Sequence, residues 1–338
     1  MKILSFIIPA YNSEKFLEKC ILSMLHLDIL EQLEIVIVDD GSTDRTSTIA
    51  KKCCSQYPGV IRLISQENKG HGGALNTGCA AAQGKYLKVI DSDDWVETEN
   101  LPEFIYFLER CDSDVVLTHY RTHDISNGEI KSWTCIPDAF GNAYNLDHIM
   151  ANWRSFYHLL TFHGITYRTA FYRQFSISLS EHVFYEDYEF ATFPCCFANS
   201  VMPVNLFVYD YRIGDVNQSV SDASKLKRVS HLETVLQRMR KECLSADMDA
   251  GGRQYVNMKI QELLLSYLKV VLLIEPDKRT GRKMAENMMY IFRQKVPGVA
   301  ALAEKKYRCF LVMNRLHISN QMWEDILRSR LYHILRGN

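Results

Sequence analysis

With 338 residues, 47% of them apolar, the chain can build one large domain or two smaller ones, each with its own core. Its net charge of −1 conceals an asymmetry: residues 1–224 hold 17 Lys and Arg against 29 Asp and Glu, whereas residues 225–338 hold 22 against 11. The acidic front would repel nucleic acid, so that partner is set aside; the basic tail asks for another anionic surface, with a boundary near residue 224.

Ten cysteines suggest a disulfide framework, but two pairs are vicinal (Cys53-Cys54, Cys195-Cys196) and no C-x-x-C exists. Thiols in a reducing compartment fit better. The run 3–8 reads as a strand and is too short for a signal peptide. Uncharged apolar stretches fall short of the ~18 residues that cross a bilayer. A cytoplasmic location is expected.

Residues 1–120 alternate between two periods. Short β-branched runs occur at 3–8, 34–38, 60–65, 86–90 and 114–118. Between them, Ser13 reads as the N-cap of a helix carrying Phe16, Leu17, Cys20, Ile21, Met24 and Leu25, and further helices are predicted near 43–56, 72–82 and 98–110. Strands that alternate with helices and are nearly continuously apolar imply a mostly parallel sheet covered on both faces. Ligands of such sheets bind beyond the carboxyl ends of the strands. The polar clusters fall there: Pro9-Ala10-Tyr11-Asn12, Asp39-Asp40-Gly41-Ser42, Asn68-Lys69-Gly70 and Asp91-Ser92-Asp93-Asp94.

The last cluster sets three carboxylates within four residues. Such charge is costly unless a cation shares the site. Hard divalent cations take one or two protein carboxylates plus phosphate oxygens, so a Mn²⁺ or Mg²⁺ diphosphate site is one reading and an acidic helix cap the other. A dinucleotide-binding domain is rejected. The first turn has no glycine, and Gly70-His71-Gly72-Gly73-Ala74-Leu75 puts Leu75 where the last glycine of G-x-G-x-x-G belongs. No phosphate loop of the G-x-x-x-x-G-K-[ST] kind is present.

Four segments in order, 6–12, 34–44, 68–78 and 91–94, resemble the family 2 glycosyltransferases, inverting enzymes of the GT-A fold. The resemblance is close over 3–120 and looser to about 221. It implies an α/β fold of GT-A type, a mostly parallel sheet flanked by helices, with a separate helical C-terminal region. It also implies a nucleotide-sugar donor, a UDP-sugar by default. Pro9, Ala10, Tyr11 and Asn12 would lie against the base, with Tyr11 stacking on it. Asp39 would accept from the base, Gly41 would permit the turn, and Lys69 would either face the phosphates or be solvated; Gly70, Gly72 and Gly73 would either allow close backbone approach to the ligand or fit a turn and tight helix–sheet packing. Asp91 and Ser92 would contact the ribose or sugar, and Asp93 with Asp91 would hold the metal. Asp94 would support the loop or the sugar hydroxyls. Arg212 and Gln218 resemble a segment that closes over the donor phosphates.

The segment Phe184-Tyr185-Glu186-Asp187-Tyr188 matches the family's acceptor-side acidic motif. An inverting transfer needs one base to take the acceptor hydroxyl's proton. Asp187 fits that role and Glu186 a neighbouring hydrogen-bonding one. His163, His182 and His231 are candidates for a third metal ligand. Trp133, Trp153, Phe156, Tyr157 and Phe162 form either a sugar-stacking wall or core.

From residue 225 the period is helical, with Leu232, Val235, Leu236 and Met239 and a longer repeat over 260–274, and with breaks at Pro276 and Pro297. This region reads as a helical cap or homodimer interface. Its basic residues Lys278, Arg279, Arg282, Lys283, Lys305, Lys306, Arg308, Arg328, Arg330 and Arg336 also suit an anionic membrane on the inner face of the cell. The expectation is a glycosyltransferase acting on a glycan or lipid-linked acceptor for cell-surface polysaccharide. A sugar nucleotidyltransferase and a non-catalytic sugar-binding module are the alternatives.

Overall fold

The structure is a computed structural model that describes residues 1–135, 140–175, 178–215, 222–245 and 247–328. They divide into two compact units, 1–215 with 247–255, and the remainder.

The first unit is built on one sheet. Strands β1 (Leu4–Ala10), β2 (Leu33–Asp39), β3 (Ile61–Ser65) and β4 (Tyr86–Val89) are mutually parallel, in the order β3-β2-β1-β4. β1, β2 and β4 are buried at every residue, as continuous apolar runs covered on both faces must be. Helices α1 (Leu17–Ser23), α2 (Thr46–Gln56) and α3 (Gly70–Ala81) make the crossovers. The chain steps from β1 outward to β3 and then returns to β1's other side for β4. That reversal opens a crevice beyond the carboxyl ends of β1 and β4.

After β5 (Trp95–Val96) and α4 (Leu101–Arg110) come β6 (Val115–Asp124), β7 (Ile130–Trp133), β8 (Ile165–Arg168) and β9 (Val201–Ile213). They complete the order β3-β2-β1-β4-β8-β6-β9-β5, with β7 on β6. β8 runs antiparallel to both β4 and β6, so the sheet is parallel in its first half and mixed in its second. Short helices α5 (Leu146–Ala151) and α6 (Trp153–Phe156) precede β8, and α7 (Thr169–Tyr172) and α8 (Glu186–Thr192) follow it.

Two helix starts differ from expectation. α1 begins at Leu17, with Phe16 in the cap position and no side-chain cap. Ser13 is buried, and its N–H donates to Thr46 Oγ1 (2.8 Å). Ahead of α2, Thr43 N–H donates to Asn12 Oδ1 (2.8 Å), while Asn12 N–H donates to Ser42 Oγ (3.1 Å). These small polar residues stitch the first two turns together instead of capping helices. Phe156 and Phe162 are core, not a sugar-stacking wall; Trp153 is exposed and Trp133 stacks on Tyr120 at 6.0 Å. Among the described residues no cysteine is in a disulfide.

The second unit contains α9 (Asp222–Lys227), α10 (Val229–Ser245), most of α11 (Ala250–Lys269) with its π-helical extension Val270–Ile274, α12 (Lys278–Lys295), α13 (Pro297–Arg315) and α14 (Asn320–Arg328). Its core holds Leu263, Leu264, Tyr267, Leu268, Val271, Met288, Met289, Phe292, Tyr307 and Phe310. Pro276 ends the π segment's run, and Pro297 opens α13, where its missing N–H is no loss. Buried Asn314 donates to Leu272 O (2.7 Å) and accepts from Arg282 Nη1 (2.7 Å), joining α13, the π segment and α12. Among the described residues no helix is long and apolar enough to cross a membrane.

α3 lies on the sheet at Gly78, where a Cβ would collide with the Ile7 side chain and approach Val38. Gly78→Ala should therefore destabilise the protein by about 1–3 kcal/mol through overpacking. Chemical denaturation measures this, and unchanged stability would mean that α3 is not seated so closely.

Candidate active site

The crevice at the strand reversal is a cleft of about 490 Å³. Pro9, Ala10 and Tyr11 form one wall, with Tyr11 53% exposed. Asp40 and Asn68 lie beside them, Gly70, His71 and Ala74 come from the start of α3, and Asp91, Ser92 and Asp93 follow β4. His182, Val183 and Phe184 close the far side.

The acidic turn sorts its three carboxylates. Asp94 N–H donates to Asp91 O (3.0 Å), which turns the Asp94 side chain inward, 2% exposed. There it accepts from Tyr209 OH (2.5 Å) and from Arg212 N–H (2.7 Å). Burial, and then the charges of Asp91 and Asp93, push its carboxyl well above the usual range. Asp94 thus supports the loop. Asp91 and Asp93 remain towards the cleft, with the Arg212 guanidinium 3.9 Å from Asp93, 2.9 Å from Asp215 and over the Phe16 ring.

His71 joins this turn to the acceptor-side motif. Its Nε2 lies 2.9 Å from Asp91 Oδ1, and its Nδ1 lies 2.6 Å from Glu186 Oε1. Burial alone would lower its pKa, but the two carboxylates overcome this and hold it well above the ordinary value. In return, burial would raise Asp91, and the His71 charge and hydrogen bond keep it low instead.

The contact depends on two glycines. Gly70 has φ +76°, and a Cβ there would sit 2.8 Å from His182 N; a Cβ at Gly72 would strike Ser180 O. The glycine-rich turn therefore admits the backbone of residues 180–182 against the start of α3. His182 N–H donates to Lys69 O (2.9 Å), and Glu189 accepts from Ser180 N–H (2.7 Å), so the segment before α8 is tied at both ends.

α8 starts after Tyr185, whose φ is +76°. Glu186 is buried, and its Oε2 has no hydrogen-bond partner among the described residues. Asp187 is exposed to solvent, yet the protein mass around it displaces enough bulk water to raise its carboxyl to about 7, with the Glu186 charge adding to the effect. Beneath the site, buried Lys88 donates to His163 O (2.7 Å) and is lowered by burial to about 7. His163 is stacked on Tyr211 (4.2 Å) and held near 4 by burial.

Of the expected site residues, Pro9, Ala10, Tyr11, Gly70, Asp91, Ser92 and Asp93 line the cleft. Asn12, Asp39, Gly41, Lys69, Arg212, Glu186 and Asp187 stand outside that lining. Asp39 is buried, its Oδ1 accepting from Ser42 N–H (3.1 Å), and Asp40 Oδ1 accepts from Lys69 N–H (2.9 Å). Gln218 lies outside the described residues. Among the described residues no three His, Cys, Asp or Glu are grouped to hold a metal alone. Asp91 and Asp93 facing the cleft fit a hard divalent cation whose other ligands are diphosphate oxygens and water. His71 was missed in sequence, since its partners stand 20 and 115 residues away.

A half-parallel sheet with an acidic turn at its strand reversal is the arrangement of a GT-A-like fold. Residues 5–184 match the sequence model of glycosyl transferase family 2, and the chain belongs to that family. The glycosyltransferase GlyG of Streptococcus pneumoniae is 37% identical over 129 residues, a match that spans 38% of this chain and 42% of that protein. The chain thus spans less than half the length of that relative. The structure of Staphylococcus aureus TarS 1–349 superimposes with a TM-score of 0.64 at 22% identity, over 94% of this chain and 88% of that one. TarS 1–349 in complex with UDP-GlcNAc gives 0.60 at 21%, over 94% and 93%. The mannosyltransferase PcManGT of Pyrobaculum calidifontis, in complex with GDP-Man and Mn²⁺, gives 0.50 at 15%, over 93% and 86%. These structures share the fold.

The His71 bridge has a stability consequence. A histidine with a raised folded pKa contributes stability in full below its unfolded value of about 6.5, and loses it as pH rises through the folded value. His71→Ala leaves buried Glu186 without its cation, a cost of about 1–3 kcal/mol at pH 6. Thermal melts at several pH values should show a lower Tm for the variant, with the gap closing at high pH. A wild-type Tm at pH 6 would contradict the bridge.

Proposed function

We propose that the chain is a metal-dependent, inverting glycosyltransferase. It moves a sugar from a nucleoside-diphosphate donor, a UDP-sugar, to a hydroxyl of a glycan or lipid-linked saccharide in cell-surface polysaccharide synthesis, from the cytoplasmic side. One observation carries the reading: exposed Asp187 adjoins buried Glu186, which His71 links to the Asp91 turn. The related structures in complex with UDP-GlcNAc and with GDP-Man and Mn²⁺ support the donor class.

In this reading Tyr11 stacks on the base and Asp39 accepts from it. Gly70 faces the phosphates from the cleft wall, and Arg212 lies close enough to the acidic turn to meet their charge. Asp91 and Asp93 would hold Mn²⁺ or Mg²⁺, which supplies positive charge to the leaving diphosphate. Asp187 removes the acceptor hydroxyl's proton as that oxygen attacks the anomeric carbon from the face opposite the leaving group. Glu186 Oε2, which lacks a partner, accepts a hydrogen bond from a neighbouring saccharide hydroxyl. A sugar nucleotidyltransferase would need a glycine-rich basic loop after β1, and Pro9–Asn12 does not provide one.

Asp93→Ala removes a cleft carboxylate without touching the core. It should abolish Mn²⁺-dependent donor turnover while circular dichroism stays that of the wild type; full activity in the variant would remove Asp93 from the metal site.

Asp187→Asn should slow transfer by ~10²–10⁴-fold and leave donor affinity intact, compared by calorimetry and initial rates. Because the carboxyl must be ionised to take a proton, wild-type kcat/KM should fall as pH drops below about 7. A profile flat from pH 5 to 8, roughly two units below to one above that value, would assign the base elsewhere.

A further inference from the structure

The outward side of α13 carries a ridge that its own fold does not cover. Val299, Ala303, Tyr307, Phe310, Met313 and Asn314 are buried on the inner side. Bordering them on the solvent side, Leu302, Cys309 and Leu316 recur every seven residues, so they stand in one line along the helix, with Val312 beside them. Leu302 is 59% exposed, Val312 52% and Leu316 66%. A solvated helix face is ordinarily polar, and an aligned exposed apolar ridge marks an interaction surface.

The ridge is set in positive charge. Lys305 and Lys306 lie next to it on the exposed side, with Arg308 and Arg315 at its flank. Between Lys278 and Leu316 the sequence holds ten Lys and Arg against two acids, Glu286 and Glu304. Glu304 is engaged by Arg293 (2.8 Å) and Arg308 (2.9 Å). A second copy of this face would bring its lysines against like charges. Nucleic acid would answer the cations but leave the leucines in water. An anionic bilayer surface answers both: leucines enter the headgroup–acyl boundary while lysine and arginine stems reach outward to lipid phosphates.

We propose that α13 seats this face in the surface of an anionic membrane, with Leu302, Val312 and Leu316 entering the interface and Lys305 and Lys306 held to lipid phosphates. Binding needs both parts, because shallow apolar insertion and electrostatic attraction are each marginal alone. The inference rests on the transferase reading only in narrowing its acceptor to one presented at a membrane.

The test is co-sedimentation of the full chain with phosphatidylcholine vesicles, with and without phosphatidylglycerol, at low and high salt. Wild type should bind only the anionic vesicles and be released by salt. Lys305→Glu/Lys306→Glu should weaken binding about 25-fold or more, from about fivefold per cation near the surface. Leu302→Glu/Leu316→Glu should weaken it at least about tenfold while helicity is retained. Failure of wild type to bind anionic vesicles, or binding indifferent to the leucine pair, overturns the proposal. So does a homodimer that Leu302→Glu disperses without any vesicle binding. Transfer to a soluble saccharide should be unchanged in these variants, so the membrane claim and the transferase reading fail separately.

Discussion

Carboxylates crowd the ends of β4 and the start of α8, and the fold is arranged around keeping them there. In a partly desolvated cleft Asp91, Asp93, Asp94, Glu186 and Asp187 repel one another, and the surroundings of each decide how far it is driven towards the neutral form. Asp94 is turned inward onto Tyr209 and Arg212 N–H; Asp91 and Glu186 share the His71 cation; Asp93 faces the cleft beside Arg212; and Asp187 is left accessible near pH 7. One acidic cluster thereby yields carboxylates in different environments, a pair at the cleft after β4 and an exposed group at the start of α8.

The geometry that permits this is a close approach of backbones. Gly70 and Gly72 let residues 180–182 pass against the first turn of α3, which brings His71 to Glu186. A side chain at either glycine would push the acceptor-side segment outward and separate the two carboxylate groups. The starts of α3 and α8 are thus registered by sterics first and by an ion pair second.

Much of this was legible in the sequence, and the reasons are local. Buried parallel strands are continuous apolar runs, so β1 to β4 and the four polar turns beyond them stand out by period alone. Asp94 was open between supporting the loop and the sugar hydroxyls; its inward turn is set by Tyr209 and Arg212, far along the chain. The glycines of 70–73 were open between ligand approach and packing; their neighbours are residues 180–182, far along the chain. Ser13 and Thr43 carry capping chemistry, but the same atoms serve equally to tie two turns together, and only the fold decides. His71 gave no signal because a bridging histidine is defined by partners that no spacing rule connects. The mixed half of the sheet was obscured for the same reason, since β8 pairs at a distance with β4 and β6.

The central claim is that Asp187 serves as the base of a single displacement across this cleft. The anomeric configuration of the product tests it most directly. With a UDP-sugar of α configuration as donor, proton NMR of the freshly transferred sugar should show a β linkage. An α linkage would require a second displacement or a front-face attack, and would contradict the role assigned to Asp187 and the geometry built around it.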